Sequence, residues 1–537
     1  MAAQAINQST SISNTTEQDV DIQDLLANFG IFQHNVDVFF LIIIGMLIFF
    51  MQGGFALLEA GAVRSKNTTN ILIKNILDVF IGGLAYWIVG FPLAFGDGNF
   101  FIGYSGWMSI GLEPERLAFW FFQFVFAAVT ATVVSGSMAE RCGFGAYLVY
   151  SAVLTGFMYP VVCHWCWTDI GWLATHGYQD FAGSGVVHLT AGIAALVGCV
   201  ILGPRLGRFG PNSRPISGHS VPLTALGGFI LLFGFLAFNG GSQGSISQDG
   251  DAASVAVAVV NTVIAGCSAG IVVLVIHRFN SPCVNPEHHW SFLLTLNGAL
   301  TGMVALCAGC NDMPIWGGVV TGGIAGIIYY VIHHLMIMMH VDDPLDAVAV
   351  HGGGGIWGLI AVALFRHDGI VFQGENAMQT LKWNGIGMLA IIGWTSVLCI
   401  IMFSLLRYMG LLRVSSEVEI RGLDIVKHGE SAYPTEAWQE QQYVEGTKGD
   451  EIHQELDLPP NMCTPGGYYN QPPMYQSPGH PMYWSLPDPR KYQNHNSGRY
   501  SVSRLTQPNE FYPVHNLSYA PLKSPKKNNG ISNDSYR

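Results

Sequence analysis

The chain has 537 residues, of which 50% are hydrophobic and only 11% are charged, against about 25% charged residues in soluble domains. This composition, with a mean hydropathy of +0.34, excludes an ordinary soluble protein and predicts an all-α membrane protein with the lipid bilayer as its surroundings. The formal net charge is −12 and no stripe of basic residues is present, so we expect no nucleic-acid partner.

The first 36 residues are polar and acidic and contain no Lys or Arg. Asn7 and Asn14 begin the sequences Asn-Gln-Ser and Asn-Thr-Thr, which match the glycosylation sequon. The segment lacks the positively charged start and the apolar stretch of a signal peptide, so we expect the first membrane span to direct insertion. Residues 1–36 are therefore predicted to form an extracellular N-terminal segment with two candidate glycosylation sites.

Eleven apolar segments follow, each near the length of about 20 residues that crosses the hydrocarbon core. They lie near residues 38–62, 71–95, 118–138, 144–167, 184–203, 221–239, 254–276, 290–309, 316–337, 347–365 and 385–407. We predict a transmembrane domain over residues 37–410 with eleven helical spans.

The distribution of Lys and Arg predicts the orientation, because these residues collect on the cytoplasmic side of a membrane protein. The other side holds only Arg116, Arg366 and Lys382. The residues that come after spans 1, 3, 5 and 7 are Arg64, Lys66 and Lys74, then Arg141, then Arg205, Arg208 and Arg214, then Arg278. The N-terminus is therefore predicted outside, and an odd number of spans places the C-terminus inside.

One motif occurs twice. Asp180 precedes His188 by eight residues in DFAGSGVVHLTAG, and Asp343 precedes His351 by the same interval in DDPLDAVAVHGGGG. Span 5 enters from outside and span 10 from the cytoplasm, so the two copies are antiparallel, as in transporters built from inverted repeats with a site at their interface. We predict two five-helix repeats, spans 1–5 and 6–10, and one additional helix.

The two aspartates indicate where the histidine helices begin. Asp343 and Pro344 are typical of an N-cap followed by proline at the first helical position, and Asp180 can cap its own helix likewise. Eight residues of helix rise about 12 Å. Each imidazole is therefore expected about that deep in a hydrocarbon core roughly 30 Å thick, and the two should meet near its middle.

A histidine inside an apolar span needs an explanation, because a charged side chain there costs roughly 3 kcal/mol or more. One interpretation is structural, with neutral imidazoles hydrogen-bonded between helices. Matched positions in an inverted repeat favour a pore lined by His188 and His351, whose imidazoles can hydrogen-bond a small polar molecule and share a proton. We expect no metal and no cofactor, because neither span offers a third Cys, His or carboxylate ligand nearby.

Aromatic residues collect in spans 3, 4 and 6, and core packing is the ordinary explanation for them. Trp167, Phe238 and Ser242, however, fall at the outer ends of spans 4 and 6. Ring faces there could attract a cation, worth about 0.5–2 kcal/mol per contact, while the hydroxyl accepts its hydrogen bond. A bare metal ion would find too few oxygens. A small hydrogen-bonding cation fits this group better.

Two acidic residues lie within the predicted spans. Glu59 and Asp78 fall near the cytoplasmic ends of spans 1 and 2, where they can pair with Arg64 or Lys74, so we expect structural roles for them. The glycines at 352–355 are expected to allow close helix approach.

The composition changes twice beyond span 11. Residues 411–455 mix charged and apolar residues and are predicted to form an ordered cytoplasmic segment. Residues 456–537 are rich in Pro, Tyr, Asn and Ser, which predicts a disordered cytoplasmic tail. Ser477 and Ser524 each precede a proline and are candidate phosphorylation sites.

Several long motifs resemble the ammonium transporter (Amt/MEP/Rh) family, and its Amt branch best. They are DFAGSGVVHLTAGIAALVG with the following Arg205, DDPLDAVAVHG, FQFVFAAVTATVVSGSMAER and AFNGGS. The resemblance covers about residues 35–440 and indicates an animal or other eukaryotic member.

The resemblance implies roles at the outer end of a pore. Trp167 and Ser242 would form a recruitment site with Phe126, and Phe126 would stack with Phe238 as a gate. Asp180 would support this site structurally and would not be an exposed ligand.

Further roles are implied along the pore. His188 and His351 would form the pore pair, with structural support from Asp343 and Asp346 in the second motif. Phe235 stands where relatives often have tryptophan, so this chain keeps the ring and loses an indole N–H donor.

The resemblance also implies a homotrimer in the plasma membrane with one pore per subunit, and a segment like GLDxxxHGExAY that packs under the pores. The implied function is transport of ammonium, or methylammonium, as ammonia, with or without proton co-transport. Two alternatives are a sensor that recruits a regulatory partner through its cytoplasmic tail and an Rh-type gas channel. An enzyme is not expected, because no nucleophile–base pair or metal triad is evident.

Overall fold

The computed structural model describes residues 2–211, 213–280 and 288–434, with side chains from residue 22 onward. Within these ranges the chain is helical, and two isolated bridges, Gly98–Gly103 and Cys142–Arg413, are its β-type pairings. The predicted all-α class is confirmed. The predicted tail at 456–537, the end of the predicted segment 411–455, and the side chains of Asn7 and Asn14 lie outside the described part of the chain.

The helices follow one another through the described chain with short connections. In chain order they are α1 Ala2–Phe49, α2 Met51–Ala62, α3 Thr68–Ala85, α4 Phe91–Phe95, α5 Arg116–Ser137, α6 Phe144–Val153, α7 Tyr159–Trp167, α8 Thr190–Leu202, α9 Val221–Gly241, α10 Asp251–Phe279, α11 Phe292–Leu306, α12 Ile315–Met338, α13 Gly354–Phe365, α14 Ala377–Tyr408 and α15 Ser416–Arg421.

Ten helical stretches among the described residues are long and apolar enough to cross a membrane, and each overlaps a predicted span. The chain is therefore a multi-pass membrane protein. The remaining predicted span, near 290–309, contains α11, which is apolar but has only 15 residues. The first helix begins much earlier than the predicted span at 38–62, because residues 2–36 contain no proline to end it.

Four of the spans contain a wide turn with i→i+5 hydrogen bonds. Tyr86–Gly90 and Leu154–Met158 each precede a proline, which lacks an N–H donor and displaces the carbonyl one turn earlier. The other two, Ser184–Leu189 and Val348–Gly353, lead into α8 and α13 and contain the paired histidines. Such turns occur frequently at functional sites.

Glycines let the two histidine-bearing segments cross closely, as expected from the glycines after His351. A Cβ on Gly192 would lie 2.2 Å from the backbone nitrogen of Gly352. A Cβ on Gly355 would lie 2.5 Å from the carbonyl oxygen of Ser184. Either distance is far below van der Waals contact, so a larger residue at Gly192 or Gly355 would push the segments apart.

Buried ion pairs tie together the end of one histidine-bearing segment and the start of the other. We call the end of the bundle with Arg205 and Asp342 the lower end, and the end with Trp167 and Ser242 the upper end. Arg205 follows α8, and its guanidinium lies 2.8 Å from Asp342 and 2.8 Å from Glu140. Glu140 also pairs with Arg64. The loop before His351 is thus fixed to the loop after His188.

The described part of the C-terminal segment covers the same lower end. The Asp424 carboxylate accepts hydrogen bonds from the backbone N–H groups of Thr69 and Asn70, at the start of α3. Glu419 accepts one from the backbone of Leu206 at 2.7 Å. Residues up to 434 therefore pack on the helices that precede them.

Candidate functional site

An open pocket of about 260 Å³ lies at the upper end. Its lining is mostly aromatic, with three polar side chains. The lining residues are Phe95, Phe119, Phe122, Gln123, Phe126, Trp167, Phe181, Ser242, Gln243 and Gly244. The structure thus brings together the three residues of the predicted recruitment site, which come from α5, α7 and the end of α9.

Phe126 lines this pocket, and its ring contacts the ring of Phe238. The ring centroids of Phe126 and Phe238 are 4.5 Å apart, and both side chains are buried. Trp167 meets Phe126 edge to face at 5.9 Å. The two phenyl rings that were predicted to act as a gate are therefore in direct contact.

Hydrogen bonds within the site determine what it can offer a ligand. The indole N–H of Trp167 donates to the carbonyl of Asp180 at 2.7 Å, so the ring face remains available. The Ser242 hydroxyl donates to the carbonyl of Phe238 at 2.7 Å, so its lone pairs remain available to accept. Both groups therefore suit a cation that donates hydrogen bonds.

Gln123 is a site residue that the sequence analysis did not single out. Its amide oxygen is buried and has no hydrogen-bond partner among the described residues, and its side chain lines the upper pocket. A buried acceptor without a partner is costly unless a ligand satisfies it. The polar residue within the aromatic run Phe122–Phe126 was the available signal.

Asp180 lies beside the upper pocket and holds the backbone that leads to His188. Its Oδ1 accepts from the N–H of Gly183 at 3.0 Å, and its Oδ2 accepts from Gly185 and Val186 at 2.9 Å each. Gly183 has a φ of +96°, a conformation that favours glycine. Burial raises the pKa of the Asp180 carboxyl to about 6, although the backbone N–H groups act to lower it.

Asp343 makes the matching contact in the second copy. Its Oδ2 accepts from the N–H of Val348 at 2.8 Å, the same five-residue offset as Asp180 and Gly185. The helix begins at Val348, so the prediction that Pro344 is its first residue was wrong. Burial and the neighbouring Asp346 raise the pKa of Asp343 to about 7.

Asp346 supports the second copy through side chains of neighbouring helices. It accepts hydrogen bonds from His333 Nδ1 at 2.7 Å, Tyr329 Oη at 2.8 Å and Asn297 Nδ2 at 3.1 Å. Burial alone would raise the pKa of Asp346, but His333 and these hydrogen bonds hold it below its ordinary value. Its backbone φ is +61°.

The two predicted pore histidines are in direct contact. The Nδ1 atoms of His188 and His351 are 3.1 Å apart, and the rings stack at 18° with centroids separated by 5.2 Å. Both side chains are buried, and the Nε2 of His188 has no partner among the described residues. One Nδ1 must donate and the other accept, so a neutral pair holds one proton in this contact.

The position of the histidines along their helices differs from the prediction. His188 is the fifth residue of a helix that begins at Ser184, and His351 is the fourth residue of a helix that begins at Val348. The rise of about 12 Å for eight helical residues was therefore too large. The reason is that Asp180 and Asp343 each lie several residues before the helix start. A non-helical turn separates each aspartate from the helix whose backbone N–H groups it binds.

Two phenylalanines pack on the upper histidine. The ring of Phe235 stacks on His188 at 25° with a centroid distance of 5.7 Å, and Phe238 lies 5.4 Å away. Phe235, which stands where relatives often have tryptophan, is buried at this contact. The rings of Phe126, Phe238, His188 and His351 thus form a continuous series of contacts.

A small cavity of about 30 Å³ lies below His351. Most of its lining is apolar, and Glu59 and Asn297 are polar. The lining residues are Phe55, Leu58, Glu59, Val133, Gly136, Leu231, Phe235, Asn297, Leu300, Leu345, Ala347, Val350 and His351. Among the described residues, no group of three or more His, Cys, Asp or Glu side chains could hold a metal ion.

The partners expected for Glu59 and Asp78 were wrong. Glu59 accepts hydrogen bonds from Asn75 and Ser135, and Asp78 accepts one from the Tyr147 hydroxyl. Arg64 pairs instead with Glu140.

Comparison with known proteins places the chain among transporters. The model of the Ammonium Transporter Family matches residues 39–433. A Caenorhabditis elegans protein named "Putative ammonium transporter 1" is 48% identical, with 76% of this chain and 80% of that protein covered. Ammonium transporter 1 member 3 of Solanum lycopersicum is 39% identical, with 74% and 93% covered.

Two solved structures are similar to the chain. A protein described as "Sensor Amt Protein" is 32% identical, with a TM-score of 0.68 over 74% of this chain and 99% of that one. Mep2 of Saccharomyces cerevisiae is 24% identical, with a TM-score of 0.63 over 71% and 88%, which shows a shared fold.

Proposed function

The chain belongs to the Ammonium Transporter Family, and we propose that it moves ammonium across a membrane by removing a proton and passing ammonia between His188 and His351. The observation that carries this proposal is the 3.1 Å contact between the two imidazoles, directly below an aromatic constriction. The two relatives named above are both named as ammonium transporters.

Ammonium first binds in the upper pocket. The ring faces of Trp167 and Phe126 attract its charge, and the Ser242 oxygen and the Gln123 amide oxygen accept its N–H groups. This set of acceptors favours a small cation with several donors. Methylammonium keeps three of the four N–H donors and is a second candidate substrate.

The cation loses a proton before it passes the stack of rings. A charged ammonium ion in this dry segment would pay a desolvation cost that neutral ammonia largely avoids. The N–H bond breaks at the upper side, and water in the upper pocket takes the proton. Ammonia then passes Phe238 and the two neutral imidazoles. If the proton returns to the upper solution, transport is electroneutral. If it follows ammonia through the histidine pair, transport is electrogenic.

The proposed topology has eleven spans, with the N-terminus outside and the C-terminus inside. The matched contacts of Asp180 and Asp343 support two inverted repeats, since each carboxylate holds the N–H group five residues onward. The short helix α11 serves as the eighth span. Residues 1–36 are then extracellular, 37–410 form the transmembrane domain, and 411–455 with the tail at 456–537 are cytoplasmic.

The proposed assembly is a homotrimer in the plasma membrane with one pore per subunit. The resemblance to the family supports it, and cross-linking of the full chain in membranes tests it. A monomer as the sole cross-linked species would contradict the assembly without affecting the pore.

Uptake into proteoliposomes tests transport itself. Purified full-length protein is reconstituted, and the initial rate of lumenal pH change is measured over a range of ammonium concentrations. A saturable rate is expected, because the upper pocket binds the cation before the pore conducts. A linear rate would favour a gas channel, and no rate above that of empty liposomes would contradict transport.

A sensor is the second candidate function. One observation favours it, the 32% identity to the solved structure described as a sensor Amt protein. In this reading the same pocket binds ammonium and the cytoplasmic tail at 456–537 recruits a regulatory partner.

A further inference from the structure

The cavity below His351 contains one carboxylate, which the proposed transport steps do not use. The Glu59 side chain belongs to α2 and lines this cavity together with His351. It is 1% exposed, so the carboxylate meets only protein and the cavity. A cavity of about 30 Å³ is large enough for one or two molecules of the size of water or ammonia.

The hydrogen bonds of Glu59 leave one of its oxygens available. Asn75 Nδ2 and Ser135 Oγ both donate to Oε2, each at 2.9 Å. Within the described chain these are the hydrogen bonds made to this carboxyl group, so Oε1 keeps its capacity to bind a donor. Asn297, the other polar residue of the lining, donates its amide N–H to Asp346, which leaves its carbonyl oxygen to accept.

Several charged or titratable groups act on Glu59. On α3, the ammonium group of Lys74 donates to the carbonyl of Cys142 at 3.1 Å. Asp78, also on α3, is bound to Tyr147. The titratable side chains that face Glu59 from neighbouring elements are Lys74 and Asp78 of α3, Tyr147 and Tyr150 of α6, and His351 across the cavity. Ser135 of α5 and Leu231 and Phe235 of α9 complete the surroundings with neutral groups.

We propose that Glu59 gives a proton to ammonia as it leaves the histidine pair, and then holds the resulting ammonium ion before release at the lower end. The O–H bond of the carboxyl group breaks and a fourth N–H bond forms, which leaves a carboxylate beside an ammonium ion. When the ion departs, the carboxylate takes a proton from the lower solution. This step rests on the proposed function and adds to it an inner site for the cation.

Electrostatics explains why a carboxylate is needed at this position. An ammonium ion formed in a mostly apolar cavity without a counter-charge would be strongly destabilised. Transfer of the proton from Glu59 creates the two opposite charges together, so neither is left unpaired. Without this group, ammonia would have to reach the lower solution before it could be protonated.

The test uses the Glu59→Gln variant of the full chain, in which an amide of the same size replaces the acid. Labelled methylammonium uptake is measured in cells whose cytosolic pH is clamped with an ionophore. Wild-type uptake is expected to fall as cytosolic pH rises, because an ionised Glu59 has no proton to give. Glu59→Gln should reduce the rate at least threefold and lose this dependence.

Asp78→Asn is the matched control, since Asp78 is a buried carboxylate of the same network that does not line the cavity. It is expected to keep the wild-type dependence on cytosolic pH. The inference would be overturned if Glu59→Gln kept the wild-type rate and the wild-type pH dependence. It would also be overturned if both variants lost the pH dependence. Either result would leave the proposed transport intact. No saturable uptake by the wild type would instead contradict the proposed function.

An infrared measurement covers the case in which Glu59→Gln does not fold. Ammonium is perfused over membranes that contain the wild-type protein, and the difference spectrum is recorded in the carboxyl region. If ammonium causes the loss of a protonated-carboxyl band in the wild type, and the same loss is seen in Asp78→Asn, the inference is supported. A spectrum without any carboxyl change overturns it.

Discussion

His188 Nδ1 lies 3.1 Å from His351 Nδ1, and the two rings stack within 18° of parallel. The contact joins residues 163 positions apart, on two segments that both begin with an aspartate-capped wide turn. One proton lies between the two Nδ1 atoms. When it moves to the accepting ring, both rings stay neutral only if that ring releases its Nε2 proton and the donating ring takes a proton at its own Nε2. The pair can therefore relay a proton or present a donor and an acceptor to ammonia.

Trp167→Leu is expected to weaken recruitment of ammonium. Loss of one cation–π contact of about 0.5–2 kcal/mol corresponds to a rise in KM of roughly 2- to 30-fold, with less effect on the maximal rate. Concentration-dependent uptake measures both quantities. Trp167→Phe is the control, because it keeps a ring and loses only the N–H donated to Asp180. Equal KM values for wild type and Trp167→Leu would be incompatible with this role.

Gln123→Leu should also raise KM. The amide oxygen of Gln123 lacks a protein partner, so an ammonium N–H is expected to satisfy it, worth about 0.5–1.5 kcal/mol or roughly 2- to 13-fold in affinity. Uptake kinetics for ammonium and methylammonium give the comparison. Gln123→Glu keeps an acceptor and serves as the control. A lower KM in Gln123→Leu would mean that the amide does not contact the substrate.

Ammonium uptake should fall as the external pH drops through about 6. Burial raises the pKa of Asp180 to about 6, so the carboxylate that accepts the N–H groups of Gly183, Gly185 and Val186 prevails above this pH and is lost below it. Initial uptake is measured at fixed ammonium concentration over this range. Asp180→Asn should be slower and should lack the midpoint near 6. The same midpoint in Asp180→Asn would assign the titration to another group.

Arg205→Ala is expected to destabilise the protein by about 3–5 kcal/mol, because it leaves Asp342 and Glu140 as buried carboxylates without their shared partner. Thermal unfolding in detergent, followed by size-exclusion chromatography, measures the loss. Arg208→Ala is the control, since its guanidinium is 28% exposed and 3.4 Å from Asp342. Equal midpoints for the two variants would contradict the assigned importance of Arg205.

Deletion of residues 456–537 distinguishes a transporter from a sensor. The described residues contain the pocket, the gate and the histidine pair, so ammonium flux is expected to persist after the deletion. Uptake by the truncated and full-length proteins is compared at equal surface expression. Loss of a cellular response to ammonium with unchanged flux would favour the sensor.

The sequence was sufficient to predict the helical class and the meeting of the two histidines. Hydrophobic length located ten of the eleven predicted spans among the described residues, and the antiparallel Asp–His copies predicted that His188 and His351 approach each other from opposite ends. Both inferences depend on local pattern and on topology, which a single sequence contains. Their roles in transport stay predictions.

The predictions that failed concern contacts between distant residues. Glu59 was expected to pair with Arg64 because the two are near in sequence, but Asn75 and Ser135 are nearer in space. The starts of the two histidine-bearing helices were also misplaced. A carboxylate can accept a hydrogen bond from the N–H group five residues onward while the residues between them are not yet helical. The network of Arg205 and Asp342 was missed for the same reason, since its partners are 137 residues apart.

Ammonium uptake recorded together with membrane current tests the histidine pore most directly. Oocytes that express the wild type or the His188→Asp, His351→Glu double variant are compared at equal surface expression. We predict that the double variant loses at least tenfold in uptake, and any current with it, because carboxylates in the dry pore would hold the cation. Wild-type uptake with no current would make transport by the native pore electroneutral. Uptake and current in the double variant equal to those of the wild type would contradict the role of the pair.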